Sequence, residues 1–172
     1  MPDVSSRIGR LDRRALVHST RTAIAAVVSL IVARALGLPE AYWATITTLI
    51  IMQSTLGAAL VVSEQRFAGT AVGAALAALL VTYFGSNTIV FGLGVFALGL
   101  ICAALRLGEA YRLAGVTLAI VMLVAHTNPA WMVAVHRFVE VSVGIAVGLA
   151  VTALWPHDDA VVRPAPPASH SE

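Results

Sequence analysis

Lysine is absent from this chain: all eleven of its basic residues are arginine. Charge of either sign is scarce, at 12% of residues, where a soluble domain carries about 25%. The single Cys102 lies in an apolar run. One chain therefore builds no disulfide framework and no thiolate metal site, and Cys102 reads as a small buried hydrophobe. No glycine-rich phosphate loop, nucleophile elbow or paired intramembrane aspartates occur. His136 and Glu140 stand four apart on one helix, but no second pair of ligands completes a metal site. These absences predict neither an enzyme nor a resident cofactor or metal. The arginines are scattered rather than clustered, which argues against a nucleic-acid partner.

What is present is apolar length. Of 172 residues 59% are hydrophobic, with a mean hydropathy of +0.88. Five apolar segments and a sixth with an arginine near each end fill most of the chain, and six spans of about 20 residues would use about 120. The expected fold is an all-α membrane protein with transmembrane helices near 17–36, 41–62, 67–85, 88–105, 111–126 and 130–155. This gives an arginine-rich tail (1–16), a six-helix domain (17–155) and a disordered tail (156–172) rich in Pro, Ala, Ser and Asp. The expected links are short, among them Leu38-Pro39-Glu40, Ser63-Glu64-Gln65-Arg66 and Leu107-Gly108-Glu109, so that consecutive helices pack as antiparallel neighbours. With the N-terminus inside, nine arginines fall on the cytoplasmic side and two, Arg34 and Arg137, outside. The positive-inside rule thus predicts both termini in the cytoplasm. A cleavable signal peptide ending near Ala33-Arg34-Ala35 is the competing reading of the first segment. The counterpart of that segment later in the chain argues against it.

That counterpart belongs to an internal repeat. Leu36-Gly37-Leu38-Pro39-Glu40-Ala41-Tyr42 and Leu107-Gly108-Glu109-Ala110-Tyr111 each separate two apolar spans. Arg66-Phe67 precedes Val72-Gly73 at the spacing by which Arg137-Phe138 precedes Val143-Gly144. The offset is 71 residues from Leu36 to Leu107 and again from Arg66 to Arg137. Three spans repeated once, about 17–85 and 88–155, make the second copy enter the membrane from the opposite side, the inverted repeat of many secondary transporters. The expectation is that Arg66 and Arg137 stand at opposite mouths of one interface and line an anion path.

Arg66, Gly69, Thr70 and Gly73 share one helix face, and Arg137, Glu140, Gly144 and Gly148 a similar one. Arginine offers a planar bidentate partner for carboxylate, and the glycines of the two GxxxG patterns let helix backbones approach. Arg66 as a plain cytoplasmic anchor and Arg137 as a snorkelling residue neutralised by Glu140 are the competing readings. Glu140 is the candidate for charge pairing or for gating by protonation. On the second span Thr48 and Gln53 are candidate route-lining groups beside Thr70, Gln53 with an interhelical hydrogen bond as its alternative.

The run Tyr42-Trp43-Ala44-Thr45 through Gln53, Gly57 and Ala58, then Glu64-Gln65-Arg66-x-x-Gly69-Thr70-x-x-Gly73, resembles the fusaric-acid-resistance-like (FUSC) family. Arg112-x-x-Gly115-x-Thr117, Arg137-x-x-Glu140-x-x-x-Gly144 and Trp155-Pro156 resemble its later landmarks. The family includes bacterial aromatic acid exporters and is similar to the plant aluminium-activated malate transporters. The resemblance implies a domain of the bacterial inner membrane that moves small organic anions, typically aromatic carboxylates outward, as a homo-oligomer of two or more copies. Many members also carry a large cytoplasmic domain and a second six-helix half, which these 172 residues do not contain. Membrane potential or a proton gradient would drive export. The rival function is a non-transporting membrane subunit that assembles with a partner protein through its GxxxG faces.

Overall fold

The structure is a computed structural model that describes residues 13–52, 55–124 and 128–155. The expectations for the terminal tails and for Gln53 lie outside these, apart from residues 13–16. The described residues form six helices and no strand: α1 (Arg13–Ala35), α2 (Tyr42–Ile51), α3 (Leu56–Phe84), α4 (Thr88–Ala104), α5 (Ala110–Leu123) and α6 (Ala130–Leu154).

Local chemistry sets the helix ends. Thr55 accepts the Ala58 N–H at 3.1 Å to start α3, and Asn87 accepts the Val90 N–H at 2.9 Å to start α4. Each side-chain oxygen satisfies a donor that a helix N-terminus leaves free. Pro129, which lacks an N–H to lose, precedes α6. Both α1 and α4 end in the same paired-bond turn: Leu38 N–H reaches Ala33 O and Leu107 N–H reaches Cys102 O. The left-handed residue of that turn is Gly37 (φ 70°) in the first case and Arg106 (φ 57°) in the second.

Three of these helices are long and apolar enough to cross a membrane: Ala15–Ala35 within α1, then α3 and α6. By composition and length, α2, α4 and α5 are shorter apolar helices. The expected second span, 41–62, is not continuous, because α2 stops at Ile51 and a new helix starts at Leu56. The expected link Ser63-Glu64-Gln65-Arg66 lies inside α3. Its polarity suggested a turn, yet Ser63 donates to Ala59 O at 2.7 Å and Arg66 to the Thr47 hydroxyl at 3.3 Å. Polar groups satisfied inside a bundle need no link to water.

Packing is mostly between helices that are not consecutive. α3 lies along α5 and α6, and α6 lies along α2 as well. Consecutive α2 and α3, like α5 and α6, touch much less. Glycine decides the closest approaches. A Cβ on Gly69 would lie 2.6 Å from Ala110 O. One on Gly73 would strike Ala114 O, and one on Gly144 would strike Ala44 O. Gly148 faces Ile51, whose Cγ2 would be 3.0 Å from an added Cβ. Residues 69 and 73 against 110 and 114, and residues 144 and 148 against 44 and 51, make α3 parallel to α5 and α6 parallel to α2. By contrast α1 and α6 are antiparallel. Arg21 at the start of α1 donates to Trp155 O at 2.9 Å, while Glu40, just beyond the end of α1, meets Glu140 of α6.

An arginine–carboxylate cluster where α3 and α6 cross

The long helices α3 and α6 meet at Phe67 and Phe138, whose ring centroids are 4.9 Å apart. The residue before each ring is an arginine, so the crossing brings Arg66 and Arg137 together, near enough for like charges to repel. Arg66 is ten residues into α3 and Arg137 seven into α6, depths of about 15 and about 10 Å along the axes. The expectation of two arginines at opposite mouths is therefore corrected. The sequence put the start of a span at Phe67, whereas the helix begins eleven residues earlier, at Leu56.

Both arginines are buried, Arg66 at 6% and Arg137 at 2% exposure. Desolvating a guanidinium costs several kcal/mol (about that scale per ion) unless partners replace the water. Arg137 has them in excess. Its Nη2 pairs with Glu40 Oε2 and its Nη1 with Glu140 Oε2 at 3.3 Å. Its guanidinium also lies 4.4 Å from the ring centre of Trp43, an aromatic face that attracts cations. The other oxygen of Glu140 accepts the Glu40 backbone N–H at 3.0 Å. Arg137 and Glu140 thus fasten the link between α1 and α2 onto α6. Arg137 Nε has no partner among the described residues.

Arg66 is held differently. Its Nε donates to Thr47 Oγ1, and among the described residues it makes no ion pair with a carboxylate. Thr70, one turn further along α3, is buried. Thr48 Oγ lies 3.0 Å from both Ala44 O and Gly144 O, so its proton ties α2 to α6. Gly69, Gly73, Gly144 and Gly148 supply close helix contacts within the chain. The structure thus brings Arg66, Arg137, Glu140, Thr48, Gly144 and Gly148 around α2 and α6, and puts Gly69 and Gly73 on the α3–α5 seam.

Reading the sequence missed three members: Glu40, Trp43 and Thr47. Glu40 reads in the sequence as part of the link Leu38-Pro39-Glu40, and Trp43 as part of the run that carries the family resemblance. A signal was available. Only four acids lie between residues 13 and 155, namely Glu40, Glu64, Glu109 and Glu140, which makes each of them a candidate partner for an arginine taken out of water.

Two hollows flank the cluster. One, of about 50 Å³, is lined by Pro39, Glu40, Asn128, His136, Arg137 and Glu140 among others. The second, of about 430 Å³, lies against α3 and the α4–α5 turn, with Glu64, Gln65, Ala68, Arg106 and Glu109 on its walls.

The fold and this cluster define a helical membrane protein with a charged, desolvated centre. The family model of the fusaric acid resistance protein family matches residues 15–164, and the chain belongs to that family. The family is associated with membrane export or resistance transport. Comparison with curated proteins and with solved structures returns no match.

Proposed function

We propose that this protein carries small organic anions, aromatic carboxylates foremost, out of the cell across the bacterial inner membrane. The observation that carries the reading is Arg66, a buried guanidinium with a hydroxyl partner and no ion pair among the described residues. An anionic ligand would supply the missing charge, in the planar bidentate geometry arginine favours. Arg137 is the second cation of the route, released to the ligand when Glu140 is protonated or displaced. Thr70 and Thr48 belong to the same route. An inside-negative potential favours anion exit by about 2.3 kcal/mol per charge per 100 mV, so potential or a proton gradient supplies the energy.

The inverted repeat is part of this reading. The α3–α5 contact has its counterpart in α6–α2, and the α1–α2 contact in α4–α5, which supports two copies related by a twofold axis through the α3–α6 crossing. Both termini lie in the cytoplasm, with Arg106 and Arg112 on the same side. Two or more copies assemble in the membrane. The rival partner-subunit reading leaned on free GxxxG faces, and both glycine pairs are occupied inside the chain.

The test is efflux of labelled 4-hydroxybenzoate from proteoliposomes. Wild type is expected to release it, and Arg66→Ala and Arg137→Ala to fall at least tenfold, corresponding to about 1.4 kcal/mol of lost stabilisation. Equal flux in all three would remove the arginines from the route.

A further inference from the structure

The two hollows occupy equivalent places in the two halves. The turns that end α1 and α4 superimpose by their bonds, which pairs Gly37 with Arg106, Leu38 with Leu107 and Glu40 with Glu109. On the long helices His136 corresponds to Gln65 and Arg137 to Arg66. The first hollow lies between the α1–α2 link and α6, the second between the α4–α5 turn and α3. They open on opposite faces. Asn128, before α6, lines the first, while Glu64, in the early part of the antiparallel α3, lines the second.

They differ in where the arginine points. Arg137 reaches into its hollow to Glu40 and fills it, leaving about 50 Å³. Arg66 turns away to Thr47 on α2, is absent from the walls of its own hollow, and leaves about 430 Å³ there. Glu109, the counterpart of Glu40, forms no ion pair among the described residues.

We infer that the two arginines are alternating plugs: this structure is the state with the Arg137 hollow shut on Glu40 and the Arg66 hollow open, and its opposite has Arg66 on Glu109 and the Arg137 hollow open. The inference rests on the transporter reading and makes the protein a carrier, never open to both faces, rather than a pore. Like-charge repulsion between the arginines couples them, since movement of one guanidinium toward its carboxylate relieves the other.

The test is thiol labelling from each face of the membrane, which needs no knowledge of the cargo. In a Cys102→Ala background, Ala68→Cys reports the open hollow, and Val133→Cys, on a wall of the first hollow, reports the shut one. Unaltered otherwise, Ala68→Cys is expected to label from the α4–α5 face and Val133→Cys to label at least tenfold more slowly. Adding Glu40→Gln, or Glu40→Ala as a second release of Arg137, is expected to speed Val133→Cys and slow Ala68→Cys together. Glu109→Gln alone, on an exposed residue unpaired in this state among the described residues, is expected to leave Ala68→Cys fast and Val133→Cys slow. Fast labelling of both sites at once, or release variants that change one site without the opposite change at the other, would overturn the inference. Reciprocal labelling without carboxylate flux would leave the plugs standing and remove the anion reading. Carboxylate flux without reciprocal labelling would do the opposite.

Discussion

Arg137 stands between two carboxylates and over an indole ring, so its loss leaves Glu40 and Glu140 facing each other without a cation. Breaking a buried pair from one side costs about 3–5 kcal/mol. Arg137→Ala is expected to lose stability on that scale in detergent unfolding, and Arg137→Ala with Glu140→Gln to recover part of it, the mark of direct coupling. Thr48→Val removes the proton shared between Ala44 O and Gly144 O. It is expected to cost about 1 kcal/mol, the net worth of a typical hydrogen bond. Sequence pattern gave the residue types of this centre but not the partners. Helical spacing relates Arg137 to Glu140, whereas Glu40 and Thr47 join through contacts between helices that no local pattern encodes.

At the scale of the helix, glycine positions separate seams from lipid-facing surface. Gly73→Ala and Gly144→Ala would each drive a methyl into a carbonyl of the facing helix. They are expected to cost at least the about 1–3 kcal/mol of an overpacked core. Gly92 of α4 has nothing within 4 Å of an added Cβ, and Gly92→Ala is expected to gain about 0.5–1 kcal/mol of helix propensity. Thermal midpoints of the three variants would read the contrast. Arg106 holds a left-handed turn that its counterpart fills with glycine. Arg106→Gly is therefore expected to stabilise by about 1 kcal/mol.

The apolar runs made helices legible. The repeat proposed above is less regular than its letters, because the like turns pair Leu38, not Leu36, with Leu107, an offset of 69 where the sequence match gives 71. Identical Leu-Gly letters masked this, because the conformation that needs glycine at 37 is taken by arginine at 106. The break between α2 and α3 was legible locally but not in the averaged hydropathy. The run 41–62 is apolar enough for one span, yet Gln53-Ser54-Thr55 is a polar triplet just after Ile51, and its last member is the cap of α3.

At the scale of the whole molecule, the three long and three short helices of the described residues place a desolvated charge cluster at the middle of the bundle. A cation there attracts a carboxylate only if the route excludes enough water to make charge count. The central claim is thus that cargo is recognised by its negative charge and moved by the membrane potential. The most direct measurement compares efflux of labelled 4-hydroxybenzoate with that of its uncharged relative 4-hydroxybenzamide, from proteoliposomes held at zero and at an inside-negative potential of about 100 mV. The account predicts protein-dependent release of the acid that is driven outward by the potential, and no protein-dependent release of the amide. Equal release of acid and amide, or acid release indifferent to potential and to an imposed proton gradient, would contradict it.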